Sequence, residues 1–210
     1  MSMRQLVLEI SPRSVPTFES FVTGRNKELV AKLKDLCAGG LAETVVYLWG
    51  ENGSGRSHLL QATLRAAAHP GRIVVSDDVD LLDAPGQIAL FNRINEIRQN
   101  AHAQSGTLLA AGSAPPAQLA LRDDLKSRLA WGLVYQVRTL ADTEKATYLR
   151  EEAARRGLRI ADEVVAYLLT HVRRDLPTLV AILAHLDEYS LSRQRPLTLP
   201  LVREALAALG

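Results

Sequence analysis

Cysteine is almost absent from this sequence, since Cys37 is the only one among 210 residues. A lone cysteine cannot form an internal disulfide, which favours a reducing compartment and predicts a cytoplasmic protein. Long apolar runs are missing as well, because none approaches the ~18 residues of a membrane span. The N-terminal residues also lack the apolar core of a signal peptide. These absences exclude membrane proteins and disulfide-rich secreted proteins.

The net charge is also small, +2 at pH 7. So small a value gives no electrostatic argument for direct binding to nucleic acid. The five histidines show no metal-ligand spacing, and no Ser-His-Asp set can be assembled. Trp49 and Trp131 each end an apolar run, which predicts positions in the core rather than surfaces for stacking on bases. What is present is the balance of a globular protein, with 47% hydrophobic and 23% charged residues.

Apolar, β-branched runs alternate with helical patterns until about residue 140. Strands are predicted at residues 43–50, 72–80, 106–116 and 133–137, and helices at 56–68, 86–103 and 121–132. Four amphipathic segments separated by glycine or proline then complete the chain. This order predicts an α/β domain with a parallel sheet, followed by an all-helical domain.

Residues 50–57 read GENGSGRS and carry the pattern of a phosphate-binding loop, except that Arg56 replaces the usual lysine. A predicted strand precedes the loop and a predicted helix follows it. In that setting backbone N–H groups curl around phosphates, and the helix dipole favours negative charge. The candidate nucleotide-binding residues are Gly50, Gly53, Ser54, Gly55, Arg56 and Ser57. The alternative is a glycine-rich turn between strand and helix that binds nothing.

Acidic residues follow the next predicted strand, at Asp77, Asp78 and Asp80. A phosphate-binding loop needs such a strand-end acid to hold Mg²⁺. Asp77 and Ser57 are therefore the candidate magnesium ligands, and Asp77 joins the nucleotide-binding set. A solvated acidic loop is the alternative interpretation.

Two further patterns each have a functional and an ordinary interpretation. Arg128 precedes the fourth strand and could reach the γ-phosphate of a nucleotide on a neighbouring chain. A surface arginine on a helix is nevertheless the commoner case. Residues 5–10, QLVLEI, alternate so that Leu6, Leu8 and Ile10 share one side, as in a peptide laid into a groove. A frayed strand or a disordered tail fits those six residues equally well.

These motifs together resemble the Hda family, small AAA+ proteins similar to the ATPase domain of the bacterial replication initiator DnaA. The resemblance spans essentially the whole chain and is most specific at residues 16–29, 48–62, 125–137 and 193–206. It implies a clamp-binding tail at 1–14, an AAA+ nucleotide-binding domain at 15–140 and a four-helix lid at 141–210. It also implies bound ADP, with an adenine-side loop within residues 16–29.

The resemblance further implies a function in control of DNA replication. Members of the family associate with the DNA-loaded β sliding clamp and stimulate hydrolysis of the ATP held by DnaA, which prevents repeated initiation. The clamp-binding motif matches Gln5, Leu6, Leu8 and Ile10, and the arginine finger falls on Arg128. DNA would be contacted only indirectly, and the oligomeric state stays open. A self-sufficient AAA+ ATPase of the loader or remodeller kind is the alternative. A DNA-binding initiator is disfavoured because no helix-turn-helix segment follows the lid in this sequence.

The chain departs from the family pattern in its sheet. Too few residues separate the loop helix from the strand at 72–80 to hold the strand and helix that relatives have there. The usual strand order 5-1-4-3-2 would then become a four-stranded 5-1-4-3. We expect IVVS (residues 73–76) at the edge beside TLLAA (107–111), with no strand on its other side.

Two further departures concern residues that contact the nucleotide phosphates in relatives. The sensor position after the third strand, usually Asp-Arg, is Ser113-Ala114, and the lid arginine falls on Pro177. Proline has no charge and no N–H, so it cannot make that contact, and Arg173 or Arg174 is the candidate to replace the missing arginine. Together with Arg56, these changes imply a nucleotide holder with little or no ATPase activity of its own.

Overall fold

The structure, a computed structural model, describes residues 15–40, 43–99, 106–172 and 175–208. The chain divides into two compact units, one formed by Val15–Thr139 and the other containing Leu140–Gly210. Across the described ranges, no helix combines the length and the apolar character needed to cross a membrane.

The first unit is built on a four-stranded parallel sheet. Its strands are β1 (Val45–Trp49), β2 (Ile73–Ser76), β3 (Thr107–Gly112) and β4 (Leu133–Gln136), in the order β2-β3-β1-β4. Read from β4 to β2, and numbered as in the relatives whose second strand is missing here, this order is the predicted 5-1-4-3. In the described residues β2 pairs only with β3, from Ile73 opposite Thr107 to Ser76 opposite Ala110, so the prediction of an edge strand is confirmed.

The two central strands bury side chains on both faces of the sheet. Val46 and Leu48 of β1 pack into one apolar cluster, whereas Val45 and Tyr47 pack into the other. Burial on both faces explains why these strands read as continuous apolar runs rather than as alternating ones. The shorter β2 has the mixed burial of an edge strand.

In the described part of this unit, four α-helices cover the sheet: α1 (Lys27–Cys37), α2 (Arg56–Ala66), α3 (Ala84–Gln99) and α4 (Asp123–Leu129). One apolar cluster contains residues of α1 and α2, and the other contains residues of α3 and α4. Helix α1 was not predicted from the sequence, although Leu29, Leu33 and Leu36 recur at helical spacing and are buried. Gly39 follows the end of α1 with a φ of 77°, a left-handed conformation that favours glycine.

The second unit is a four-helix lid, as predicted, formed by α5 (Asp142–Arg155), α6 (Asp162–His171), α7 (Leu176–Arg193) and α8 (Leu199–Ala207). The four helices share one apolar cluster, to which Leu149, Val164, Leu183 and Leu201 each contribute from a different helix. The lid therefore has its own core.

Candidate nucleotide-binding site

The phosphate loop, residues 50–57, connects the end of β1 to the start of α2 and depends on its glycines. Gly53 and Gly55 have φ values of 78° and 98°, which residues with a Cβ rarely adopt. A Cβ on Gly50 would collide with the carbonyl of Val137, and one on Gly55 would lie 2.7 Å from the Phe21 ring. The loop therefore takes the tight, glycine-dependent course that a phosphate cradle requires.

Arg56 is the best-buried charged side chain of this loop, with 8% of its surface exposed. Its Nη2 atom donates to Asn52 Oδ1 at 3.3 Å and lies 3.7 Å from Asp78 Oδ1. Its Nη1 atom and the Ser54 hydroxyl are buried without a hydrogen-bond partner among the described residues. An unsatisfied buried donor costs roughly 1–3 kcal/mol. A phosphate group offers acceptors to both donors, so the loop fits a phosphorylated ligand.

Strand β2 ends beside this loop, and its three acids have different contacts. Asp78 has a left-handed φ of 45° and is the acid that reaches Arg56. Asp77, the predicted ligand, is exposed, and its Oδ1 accepts the N–H of Asp78 at 2.9 Å. The structure therefore brings Asp78 rather than Asp77 to the loop arginine. Because the two acids are adjacent, the sequence held no signal for choosing between them.

Asp80 connects β2 to the end of β3. Its carboxylate accepts hydrogen bonds from the Ser113 N–H at 3.0 Å and from the Ser113 hydroxyl at 2.8 Å. Burial alone would raise the pKa of Asp80, but these hydrogen bonds outweigh it and hold the pKa below its ordinary value. Burial and the nearby Asp80 charge raise the pKa of Tyr47, whose hydroxyl donates to the Ala114 carbonyl at 2.9 Å. Ser113-Ala114 thus has a structural contact in place of the usual sensor pair.

Magnesium has no ready-made protein cage here, since the described residues contain no group of three or more His, Cys, Asp or Glu side chains that could hold a metal. Mg²⁺ does not need one, because it normally takes one or two protein oxygens together with phosphates and water. Ser57 is exposed at the first turn of α2, and Asp77 is exposed beyond β2. Magnesium ligation by Ser57 and Asp77 stays a prediction.

The segment before α1 packs beside the phosphate loop. His58 Nε2 lies 2.8 Å from the Thr17 carbonyl oxygen, and the His58 and Phe21 rings are 5.7 Å apart. Asn26 is buried, and its side chain exchanges two hydrogen bonds with the backbone of Arg138, at 2.9 and 2.8 Å. These contacts fix residues 17–26 next to Gly55 and next to the residues that follow β4. Phe21 and Asn26 were not singled out from the sequence.

Arg128 lies at the end of α4, at the end of the sheet where the strands begin, opposite the end that carries the phosphate loop. The phosphate loop follows the carboxyl end of β1, whereas Arg128 precedes the start of the parallel neighbour β4. Five residues of strand separate the two edges by roughly 16 Å. Arg128 therefore cannot reach a phosphate bound to the loop of its own chain.

The Arg128 side chain stacks on the ring of Trp131. The prediction that Trp131 lies in the core is wrong. The ring is 53% exposed, and the Arg128 guanidinium carbon lies 3.7 Å from its centroid. Arg98, in the last turn of α3, lies 4.6 Å from the same centroid. An apolar run ends at Trp131 because Leu129 turns into the core, and the indole is left outside with the two arginines. Trp49 is half-buried.

The remaining residues singled out from the sequence lie outside the described residues, except for Pro177. Gln5, Leu6, Leu8 and Ile10 lie outside them, as do Arg173 and Arg174. Pro177 is in the first turn of α7, where Asp175 accepts a hydrogen bond from the Thr178 N–H. Proline is well tolerated at the start of a helix, because the N–H it lacks would have no intrahelical partner there.

Comparison with known proteins gives one family match and a set of structural neighbours. Residues 142–206 match the family model described as "Hda, lid domain". Domain III of the Thermotoga maritima replication initiation protein DnaA superposes with a TM-score of 0.70 at 18% identity, covering 92% of this chain and 96% of that one. AMPPCP-bound DnaA from Aquifex aeolicus gives 0.67 at 21% identity, covering 85% and 68%. The Thermotoga maritima RuvB Holliday junction branch migration motor gives 0.66 at 13% identity, covering 92% and 72%. The predicted AAA+ fold with a helical lid is confirmed.

Proposed function

We propose a function from the premise that the chain is a DnaA-like AAA+ protein with the lid of the Hda family. It is a regulator that holds ADP in its own phosphate loop and stimulates hydrolysis of ATP bound to DnaA. It acts in the cytoplasm while attached to the DNA-loaded β sliding clamp, and so it inhibits repeated initiation of replication. Residues 1–14 are the clamp-binding tail, residues 15–140 the nucleotide-binding domain and residues 141–210 the lid.

The observation that carries this proposal is the separation of Arg128 from the phosphate loop by the length of the sheet. An arginine at the far end of the strands cannot reach the loop of its own chain, but it can enter the nucleotide site of a neighbouring molecule. An arginine supplied in trans neutralises charge in the transition state and is worth about 10³–10⁵ in rate. Arg128 is accordingly the arginine finger, and DnaA is the molecule that receives it.

The contacts of Arg56 support a holder of nucleotide rather than an independent ATPase. A loop lysine is a compact charge that reaches between phosphates, whereas Arg56 is a planar fork already in contact with Asn52 and Asp78. Its free Nη1 atom and the Ser54 hydroxyl can still bind a diphosphate. ADP, with Mg²⁺ on Ser57 and Asp77, is therefore the proposed ligand. The AMPPCP-bound DnaA structures have the same fold.

The experiment that tests the function measures hydrolysis of DnaA-bound ATP in the presence of the DNA-loaded clamp. The wild-type protein should accelerate this hydrolysis. Arg128→Ala should lower the stimulated rate by about a thousandfold or more, as for other arginine fingers. Arg93→Ala is the matched control, since Arg93 is an exposed arginine paired with Glu96 at 3.0 Å on α3. Steady hydrolysis of ATP by the purified protein alone would instead favour the self-sufficient ATPase.

A further inference from the structure

Two guanidinium groups share the Trp131 indole at the N-terminal edge of the sheet. The Arg128 carbon lies 3.7 Å and the Arg98 carbon 4.6 Å from the ring centroid. The two arginines come from the last turns of α4 and α3, so they are brought together by the fold and not by the sequence. We call Arg98, Arg128 and Trp131 the Trp131 surface.

Both arginines of this surface lack a carboxylate partner within the described parts of the chain. Nearby arginines differ, because Arg93 on α3 pairs with Glu96 at 3.0 Å, and Arg122, the residue before α4, pairs with Asp124 at 2.6 Å. Stacking on an indole uses the flat face of a guanidinium and leaves its in-plane N–H donors available. The Trp131 surface thus presents two sets of unused donors.

The two positive charges also lie closer together than the Debye length of ~10 Å, because both contact one ring. Charges so close repel each other, and an anion placed between them would relieve the repulsion. A cavity of about 300 Å³ adjoins the surface and is lined by Arg98 and Trp131 together with Glu43, Ile94 and Gly132. Arg98 and Glu43 are the charged residues of this lining among the described residues, so the excess positive charge of the surface comes from Arg128 on the same indole.

We infer that Arg98 is a second arginine that contacts the nucleotide phosphates of the partner molecule, and that Trp131 positions both guanidiniums for this contact. The inference rests on the proposed function of Arg128. It predicts that the partner is recognised by its terminal phosphate, so ATP-bound DnaA should bind more tightly than ADP-bound DnaA. Had Arg98 only joined α3 to α4 through the indole, its removal would leave that preference unchanged.

The test compares Arg98→Ala, Arg98→Lys and the control Arg93→Ala in the DnaA assay, after thermal melting has shown that each variant folds. Arg98→Ala should lower the stimulated rate by about tenfold or more, the effect of losing one charge-assisted hydrogen bond. It should also reduce the preference for ATP-bound over ADP-bound DnaA in a direct binding measurement. Arg98→Lys keeps the charge but not the fork, so only partial activity is expected.

The role of Trp131 is tested by Trp131→Phe against Trp131→Ala. Phenylalanine retains an aromatic face and should keep most of the activity. Alanine should lower it by about twofold to thirtyfold, the range that cation–π contacts span. Equal activity of the two variants would overturn the positioning role.

The outcomes separate this inference from the proposed function. Full activity and unchanged preference in Arg98→Ala, with Arg128→Ala inactive, would overturn the role of Arg98 and leave the function intact. An inactive wild-type protein would overturn the function itself. Should Arg98→Ala melt early, Arg98→Lys decides, because full activity with lysine would exclude a contact that needs the guanidinium fork.

Discussion

Arg56 is the residue on which ADP binding should depend most. Its Nη1 atom is buried and unpartnered among the described residues, so a phosphate would gain a charge-assisted hydrogen bond at little entropic cost. Arg56→Ala should weaken ADP binding by about tenfold or more. Isothermal titration calorimetry measures this, with Arg65→Ala as the control on the exposed side of the same helix. Equal affinities of the two variants for ADP would mean that Arg56 stabilises the fold and does not contact the ligand.

Ser113 is a second residue with a measurable effect, this time on stability against pH. Its two hydrogen bonds hold the pKa of Asp80 below the ordinary value, so the carboxylate stabilises the fold when ionised. That contribution is complete above the unfolded pKa of about 3.9 and disappears as the pH falls through the lower folded value. Ser113→Ala should therefore lower the free energy of unfolding at pH 7. Between pH 5 and pH 3, the stability of this variant should fall less than the stability of the wild type. Urea unfolding at several pH values checks this, and parallel curves for the two proteins would contradict it.

Individual residues show where reasoning from sequence stops. The loop pattern singled out Gly53 and Gly55, which have positive φ values in the structure, and Arg56, which is buried; nucleotide binding by these residues stays a prediction. The pattern could not choose between Asp77 and Asp78, because that depends on a left-handed φ at the end of β2. The contact of Trp131 with Arg98 was also not predictable, since Arg98 comes from a different helix.

At the scale of elements, β2 should be the least protected strand of the sheet. It is hydrogen-bonded to β3 on one side only in the described residues, whereas β1 is paired with both β3 and β4. Backbone amides of β2 should therefore exchange with deuterium faster than those of β1 and β3. Hydrogen–deuterium exchange with peptide resolution measures this. Protection of β2 equal to that of β1 would indicate that another segment covers the edge.

The elements themselves were largely predictable, for a reason visible in β1 and β3. Strands covered on both faces must be apolar throughout, and this pattern stands out between glycine-containing turns. The order of the strands in the sheet did not follow from the apolar pattern. It was predicted from the family resemblance together with the short connection before β2. Helix α1 was not predicted because it begins at Lys27, inside the residues 16–29 for which the family resemblance implied a loop.

At the scale of the whole molecule, the proposed activities are assigned to three sets of residues that do not overlap, so that each activity should be removable alone. In the proposed function, clamp binding depends on Gln5 and Leu6, ADP binding on the phosphate loop, and stimulation of DnaA on Arg128. Replacing both Gln5 and Leu6 with alanine should abolish clamp binding and clamp-dependent stimulation. Neither residue belongs to the loop or to the Trp131 surface, so ADP should still raise the melting temperature of this variant as it does for the wild type.

The size of that thermal shift links ADP occupancy to the stability of the fold. A ligand that binds only the folded protein stabilises it by about 2.7 kcal/mol at a concentration of one hundred times its Kd. Arg128→Ala should show the full ADP shift but no stimulation, and Arg56→Ala should show a reduced shift. Differential scanning fluorimetry across the three variants, combined with clamp binding by surface plasmon resonance, gives the complete pattern. If the Gln5 and Leu6 double variant also lost the ADP shift, the tail and the loop would be coupled, and three independent sites would be the wrong description of the molecule.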